Sequence, residues 1–257
     1  MKSHQLAAQL YSFREHLKTP ADLRKTLGRL FAIGYRSVQL STCLPAMPET
    51  ELRAILEGEG FRAPTAHESG AAILSETPRV LERLCALGCP HVAYPFPHRP
   101  MTTIESVRLL ASELEGAAKA LAAGGVALAY HNHDIEFARV EGLLLLEVLY
   151  EEAPALQAEL DTYWVHAGGA SPLQWISRMG GRMEVIHLKD YGMASAEKCG
   201  SRAMFPVGRG NLDWKTLLPA AEAAGVKTFV VEHDGDCPDP FSSFQESFEF
   251  LQTHFVI

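Results

Sequence analysis

The sequence predicts a (β/α)8 barrel, on three observations. Strand-like and helix-like segments alternate eight times along the chain, the pattern of a parallel sheet with right-handed crossovers; eight units close a barrel where five or six would leave an open sheet. Four late strand-like runs carry titratable residues at their C-terminal ends, the end where such a barrel gathers its chemistry. The length, 257 residues, suits a single barrel domain over residues 1–257, and 47% hydrophobic residues supply its core.

In order, residues 5–11 read as the first strand, followed by a loop over 12–20. A helix then carries Leu23, Leu27, Leu30 and Phe31 at three- and four-residue spacing until Gly34 stops it. Residues 35–41 are the second strand, 44–48 a proline-bearing loop, and Leu52, Ile55 and Leu56 mark a helix closed by Gly58 and Gly60. A third strand over 61–67, a loop over 68–76 and a helix over 78–87 follow; a fourth strand over 91–97 contains prolines. The longest apolar-periodic segment, 103–123, leads into a fifth strand from 126. The second half continues with a helix near 141–151, a strand over 156–161, a helix over 172–179 and a strand from 184. A long loop over 191–212, a helix over 214–224, a strand over 228–234 and a closing helix near 241–251 complete it. In that last helix Phe241, Phe244 and Phe248 have the spacing of core residues.

Composition narrows the function. A net charge of −8 with no basic block leaves nothing to neutralise a phosphate backbone, so no nucleic-acid partner is expected. Five cysteines (Cys43, Cys85, Cys89, Cys199 and Cys237) are an odd number in a chain large enough to fold without disulfides, and none forms a C-x2-C pair. The N-terminal stretch is too short and polar for a signal peptide, and no apolar run reaches spanning length, so a reducing cytoplasm and no membrane association are expected.

The chemistry centres on residues 126–137, VALAYHNHDIEF, an apolar run that ends in His131, Asn132, His133, Asp134 and Glu136. Alternation along a strand tests whether such residues point into the barrel mouth. In the sixth strand Gln157, Glu159 and Asp161 oppose Leu156, Ala158 and Leu160. In the seventh Val185, His187 and Lys189 share a face, and in the eighth Thr228, Val230 and Glu232 do. Asp161, His187 and Glu232 all pass, and the fifth strand offers a His-x-His pair and a carboxylate. Singly each is an ordinary solvated strand end; four at consecutive rims with matching parity point to a site. An oxygen-rich set with one or two imidazoles suits a divalent ion of intermediate hardness, Mn2+, Mg2+, Co2+ or Zn2+. Among the other rim residues, His67 ends a strand in the right direction, and Arg209 lies in VGRGN, whose glycines permit a tight backbone near a ligand.

The ordered segments AAQLYSFRE, YHNHDIEF, LDTYWVHAGG, VIHLKDY, VGRGNLDW and VVEHDG resemble the sugar phosphate isomerase/epimerase family, the xylose-isomerase-like TIM barrels, over nearly the whole chain. That resemblance implies a divalent metal held by Glu, Asp, His and Glu from successive late strands. Asp161, His187 and Glu232 match by position, and Glu136 is taken as the first ligand. Many relatives have Glu at the strand end where this chain has His131, so His131 stands as the alternative ligand, or else as a substrate-binding group. It also implies a pocket role near Trp164 and His166, a small-molecule carbohydrate substrate and a tendency to homo-oligomers.

The expected activity is isomerisation or epimerisation of a hydroxy-ketone or hydroxy-aldehyde through an enediolate, with Glu136 and Glu232 as acid/base groups assisted by His133 or Lys189. The same enolate permits β-elimination, so a lyase or dehydratase acting on a keto-sugar, keto-inositol or 3-keto-glycoside is the alternative. A metal-free carbohydrate-binding barrel is the non-enzyme one. Related apurinic endonucleases need more histidine ligands and a basic surface, which this chain lacks.

Overall fold

The computed structural model describes residues 1–195, 200–235 and 237–257; Cys199 and part of the expected 191–212 loop lie outside them. Eight strands, β1 Leu6–Gln9, β2 Ser37–Leu40, β3 Arg62–His67, β4 His91–Tyr94, β5 Ala127–His131, β6 Gln157–Asp161, β7 Val185–Leu188 and β8 Thr228–Val231, close into a barrel. Every neighbour pair is parallel, and β8 returns to pair with β1.

Each strand buries both faces, but against different things. Leu6, Val38, Ala66, Tyr94, Leu128, Tyr130, Leu160, Ile186, Leu188, Phe229 and Val231 point outward into the main apolar cluster shared with the helices. The inward faces hold a small plug, Ala7, Val185 and Val230, below side chains that are largely polar. Two-residue periodicity thus places an apolar jacket outside and a polar lumen inside.

The helices α1 Pro20–Ile33, α2 Glu49–Gly58, α3 Gly70–Ser75, α4 Thr77–Leu87, α5 Ile104–Ala123, α6 Leu145–Glu152, α7 Thr162–Ala167, α8 Pro172–Arg178, α9 Trp214–Ala223 and α10 Pro240–His254 surround it. The Thr19 side chain accepts from the Asp22 N–H to start α1, and Gly34, at φ 130°, ends it where a Cβ would lie 2.4 Å from the Phe248 ring. Phe241, Phe244 and Phe248 are buried, with Phe244 against Phe13 and Phe248 against Tyr35.

Several segments differ from expectation, among them α7, which follows β6 directly where no helix was expected. The stretch 68–76 is not all loop: it contains α3, whose Gly70 packs under Tyr94 too closely for a side chain. The first strand ends at Gln9, whose side-chain oxygen accepts from the Tyr11 N–H and turns the chain into a 3-10 helix, Leu10–His16. A small antiparallel ribbon, Arg139–Val140 with Leu143–Leu144, delays α6 to Leu145. Within 191–212 the chain folds back as a second ribbon, Asp190–Met193 with Arg202–Phe205.

Candidate metal centre

Register sets the depth of each group. His131 of β5 pairs with Glu159 of β6, and Asp161 of β6 with His187 of β7. Glu159 and Asp161, two residues apart on one face, are therefore about 6.6 Å apart along the strand, one inside the lumen and one at the rim.

The lower level is a hydrogen-bonded network around Glu159, which has no exposed surface. Its Oε1 lies 2.5 Å from His67 Nε2, 3.1 Å from His187 Nε2 and 3.5 Å from His131 Nδ1. Its Oε2 accepts from Gln39 Nε2 at 3.0 Å and Thr65 Oγ1 at 3.4 Å, while Gln9 Nε2 donates to Gln39 Oε1. Burial alone would push this carboxyl up, but His67 and His187 beside it hold it well below the usual carboxylate range.

At the rim, Asp161 is oriented by two backbone contacts. Its N–H donates to Asn132 Oδ1 at 3.1 Å, and its Oδ1 accepts from the Trp164 N–H at 3.0 Å, capping α7. Oδ2 is left facing Lys189 Nζ at 3.0 Å and His131 Nε2 at 4.0 Å. Glu232 Oε2 lies 2.8 Å from His187 Nδ1 and 3.0 Å from Lys189 Nζ, and Asp234 Oδ1 is 3.2 Å from the same ammonium. Lys189 is wholly buried; desolvation works against its charge, yet Asp161, Glu232 and Asp234 hold it well above the ordinary lysine value.

Two groups of four bring one ligand atom each to within 4.8 Å of one another: His131, Asp161, His187 and Glu232 at the rim, and His67, His131, Glu159 and His187 below. Donors sharing an ion at roughly 2.0–2.2 Å stand about 3 Å apart, so the 2.5 Å contact between His67 and Glu159 is a hydrogen bond with no room for an ion. The rim group fits better. Asp161 Oδ2 is buried without an aligned hydrogen bond, and burial pushes this carboxyl up to about 6 despite Lys189 and His187 beside it, as expected for a carboxylate short of positive charge. Two carboxylates and two imidazoles also form the mixed oxygen and nitrogen set that intermediate divalent ions take.

Glu136, expected as the first ligand, belongs to neither group. It sits fully buried on the turn Ile135–Phe137, with Oε1 accepting from Tyr130 OH and Oε2 from the His133 N–H, both at 2.8 Å. Tyr130 points outward into the helix layer, so a carboxylate bonded to it lies off the barrel axis. Burial pushes Glu136 up to about 7. The alternative, His131, belongs to both groups.

His133 stands in an aromatic wall, its ring 5.0 Å from Phe96, 5.0 Å from His131 and 5.2 Å from Trp164. Burial, then Lys189, pushes it down to about 3, so it is a neutral imidazole. Trp164 is half-buried with its indole Nε1 unpaired, whereas His166 is exposed and packs edge-on against Tyr191. Arg209 is directed elsewhere: its guanidinium, 66% exposed, pairs with Glu246 at 2.8 Å. The glycines of its loop serve Asp190, whose Oδ2 accepts from the N–H groups of Gly208 and Gly210 and from the Trp214 indole. A Cβ on Gly210 would lie 2.4 Å from that carboxylate.

Glu159 is the buried acid that sequence reasoning did not carry into the site; Asp190, also buried, closes the turn over 208–214. Parity had placed Glu159 inward with Asp161; its position one level below the rim was the part that strand alternation does not give. Among the described residues no helix is long and apolar enough to cross a membrane.

A comparison with curated proteins finds no match. Solved structures do match. A sugar phosphate isomerase/epimerase from Parabacteroides distasonis superposes with a TM-score of 0.84 at 19% identity, covering 99% of this chain and 95% of that one. A xylose isomerase-like TIM barrel protein from Mycobacterium smegmatis in complex with magnesium gives 0.77 at 14% identity over 98% and 97%. An L-ribulose 3-epimerase gives 0.72 at 14% over 96% and 93%. Identities this low establish the fold. Residues 29–254 also match the family described as the xylose isomerase-like TIM barrel, and with most of its length inside that match the chain belongs to this family.

Proposed function

We infer that this barrel is a divalent-metal-dependent isomerase or epimerase of a hydroxy-ketone or hydroxy-aldehyde carbohydrate. The observation that carries the reading is the convergence of His131, Asp161, His187 and Glu232 at the C-terminal ends of β5 to β8. Solved relatives described as isomerases or epimerases, and one described as a magnesium complex, support it. These four residues would hold Mn2+, Mg2+, Co2+ or Zn2+. A bound divalent ion supplies Lewis-acid polarisation of adjacent carbonyl and hydroxyl oxygens, which lowers the cost of removing the proton between them.

The remaining work falls to the chain itself. Phe96, His133 and Trp164 offer the apolar face of a sugar a surface to pack on. Glu232, kept ionised by Lys189 and His187 in spite of its burial, is the acceptor for the departing proton. The protonated Glu232 returns that proton at the neighbouring carbon, neutral His133 assists as a hydrogen-bond donor to a substrate oxygen, and Lys189 fixes the three carboxylates around it.

One observation keeps β-elimination as a second reading. Glu136, which would have given the mouth another free carboxylate, is bound by Tyr130 and His133. A single carboxylate that takes the substrate proton and hands it to a leaving oxygen also suffices for elimination, and a probable 3-DHS dehydratase from Bacillus anthracis shares the fold at a TM-score of 0.74.

Elemental analysis of the purified protein beside an Asp161→Ala, Glu232→Ala double variant tests the site. A stoichiometric ion in the parent that disappears from the variant is expected; no ion in either after reloading would overturn the metal reading. Keto-sugars incubated in D2O then separate the reactions. Deuterium gained with the carbon skeleton intact marks an isomerase or epimerase, and loss of water or an alcohol marks a lyase.

A further inference from the structure

The three rings that line one side of the mouth differ in their distance from the rim group. His133 touches a rim residue directly, its ring 5.0 Å from that of His131, and Trp164 lies 5.2 Å from His133 with the Lys189 ammonium 5.5 Å from its own ring. Phe96 is one ring further out. It meets His133 edge-on, at 5.0 Å and 79°, so that the two planes form a corner, and among the described residues this is its one ring contact. Phe96 is also 52% exposed, whereas its two neighbours in the wall are half-buried.

Its backbone is nonetheless fixed. Phe96 stands between Pro95 and Pro97; each proline holds its own φ, and the second confines Phe96 to extended backbone. His98 ties the loop back to β4, its N–H donating to Tyr94 OH at 3.2 Å and its Nδ1 lying 2.6 Å from the same oxygen. An aromatic side chain immobilised before a ligand arrives lowers the ordering cost of binding. On the same wall Trp164 has a buried indole Nε1 with no hydrogen-bond partner, a donor that a ligand oxygen would satisfy. The charges nearby define the polarity of that ligand. Arg99, on the Phe96 loop, is bound to Glu113, and Arg202 donates to Asp134, the residue after His133, at 2.7 Å.

We propose that the substrate is a sugar that carries a second, uncharged ring, as a glycoside does: the sugar sits at the rim group over His133 and Trp164, and the second ring packs against Phe96. The proposal rests on the carbohydrate reading above and adds a size and a polarity to it. A free monosaccharide at the rim leaves Phe96 in water, and an anionic substituent meets two arginines already bound to carboxylates. An aryl group and another sugar both present the apolar face that an aromatic ring packs on.

The test is calorimetric titration with methyl, phenyl and 4-carboxyphenyl glycosides of glucose, galactose and xylose, and with cellobiose. The proteins are the parent, Mn2+-loaded and EDTA-treated, Phe96→Ala and Phe96→Tyr. For at least one sugar the phenyl member should bind the parent about 10-fold tighter than the methyl member, and the 4-carboxyphenyl member no tighter than the phenyl. Phe96→Ala should abolish that advantage with the methyl affinity unchanged, and Phe96→Tyr should keep it. Cellobiose that binds tighter than methyl glucoside, and loses the gain in Phe96→Ala, would assign the second ring to a sugar. No preference in any methyl and phenyl pair, or tightest binding of a 4-carboxyphenyl member, would overturn the proposal. So would a Phe96→Ala variant that weakens both members of a pair alike, the mark of a merely structural role. The Mn2+ held by the parent scores the metal reading separately. A parent that binds no ion yet prefers phenyl members refutes that reading alone, and one that binds the ion without the preference refutes this one alone.

Discussion

The mouth of the barrel is chemically lopsided. Strands β5 to β8 bring His131, Asp161, His187 and Glu232 to the rim, with Lys189 just beyond β7, whereas β1 to β3 bring Gln9, Gln39, Thr65 and His67 to the lumen. One side concentrates charge; the other supplies amide and hydroxyl donors. Buried carboxylates are tolerable only when each oxygen is paired or hydrogen-bonded, and the division of labour meets that requirement at Glu159, where donors from the early strands converge on an acid from a late one. At the rim, by contrast, the carboxylates of Asp161, Glu232 and Asp234 share the single ammonium of Lys189, with His187 beside Glu232. The early half closes its hydrogen bonds internally, and the late half gathers four ligand atoms within 4.8 Å of one another.

The largest effect should come from the charged side. Lys189→Met removes the ammonium that three carboxylates share, and breaking a buried ion pair in this way costs about 3–5 kcal/mol. Chemical denaturation in EDTA should show that loss, and added Mn2+ or Zn2+ should recover part of it. A variant as stable as the parent in EDTA would mean that Lys189 is not what balances the rim.

Glu136 offers the next effect, with a definite sign. Its folded value, raised to about 7, lies above that of an unfolded glutamate, so the protonated form favours folding. Its contribution is fully present below about pH 4.3 and is lost as pH rises to about 7, about 3 kcal/mol across the window. Glu136→Gln cannot lose it. The stability of Glu136→Gln relative to the parent should therefore climb between pH 4.5 and 7.5; a difference that stays flat, or falls, would contradict the burial of an acid at this turn.

On the neutral side the effect is smaller. Gln39→Leu deletes one charge-assisted donor to Glu159 and strands the Gln9 amide, for about 1.5–3 kcal/mol. If the two halves are coupled as described, divalent ion binding should weaken too, although Gln39 lies in the half that supplies no rim ligand. Unchanged binding would separate the halves.

How much of this was legible in the sequence depended on which physical rule governed each residue. Alternation of side chains gave the facing of Asp161, His187 and Glu232, because two-residue periodicity is a property of the strand alone. It gave the facing of Glu159 equally well. Depth was a different matter: that Glu159 lies below the rim follows from pairing His131 with Glu159 and Asp161 with His187, and register between distant strands is not written in either strand by itself. Glu136 shows the limit of carrying a ligand over by motif. Its neighbours in sequence are rim residues, but the turn Ile135–Phe137 swings it to Tyr130, which belongs to the outer wall. The ribbon from Asp190 to Phe205 also went unread, since its pairing partners are separated by residues with no strand-like alternation.

The Arg209 loop shows the same limit and gives the smallest expected effect. Glycines flanking an arginine near a barrel mouth suit an anion cradle, but here the backbone N–H groups of Gly208 and Gly210 both point at Asp190, an anion the chain already carries. With its N–H groups spent internally and its guanidinium turned out to Glu246, the loop has a folding role. Arg209→Ala removes only an exposed ion pair, worth about 0–1 kcal/mol, and should leave divalent ion binding and turnover at parental levels. Asp190→Asn is the informative contrast, because it weakens the acceptor on which the whole turn closes. If Arg209→Ala instead raised KM while thermal stability held, the guanidinium would have to swing from Glu246 into the mouth during turnover, and the charged half of the rim would extend one loop further than the structure places it.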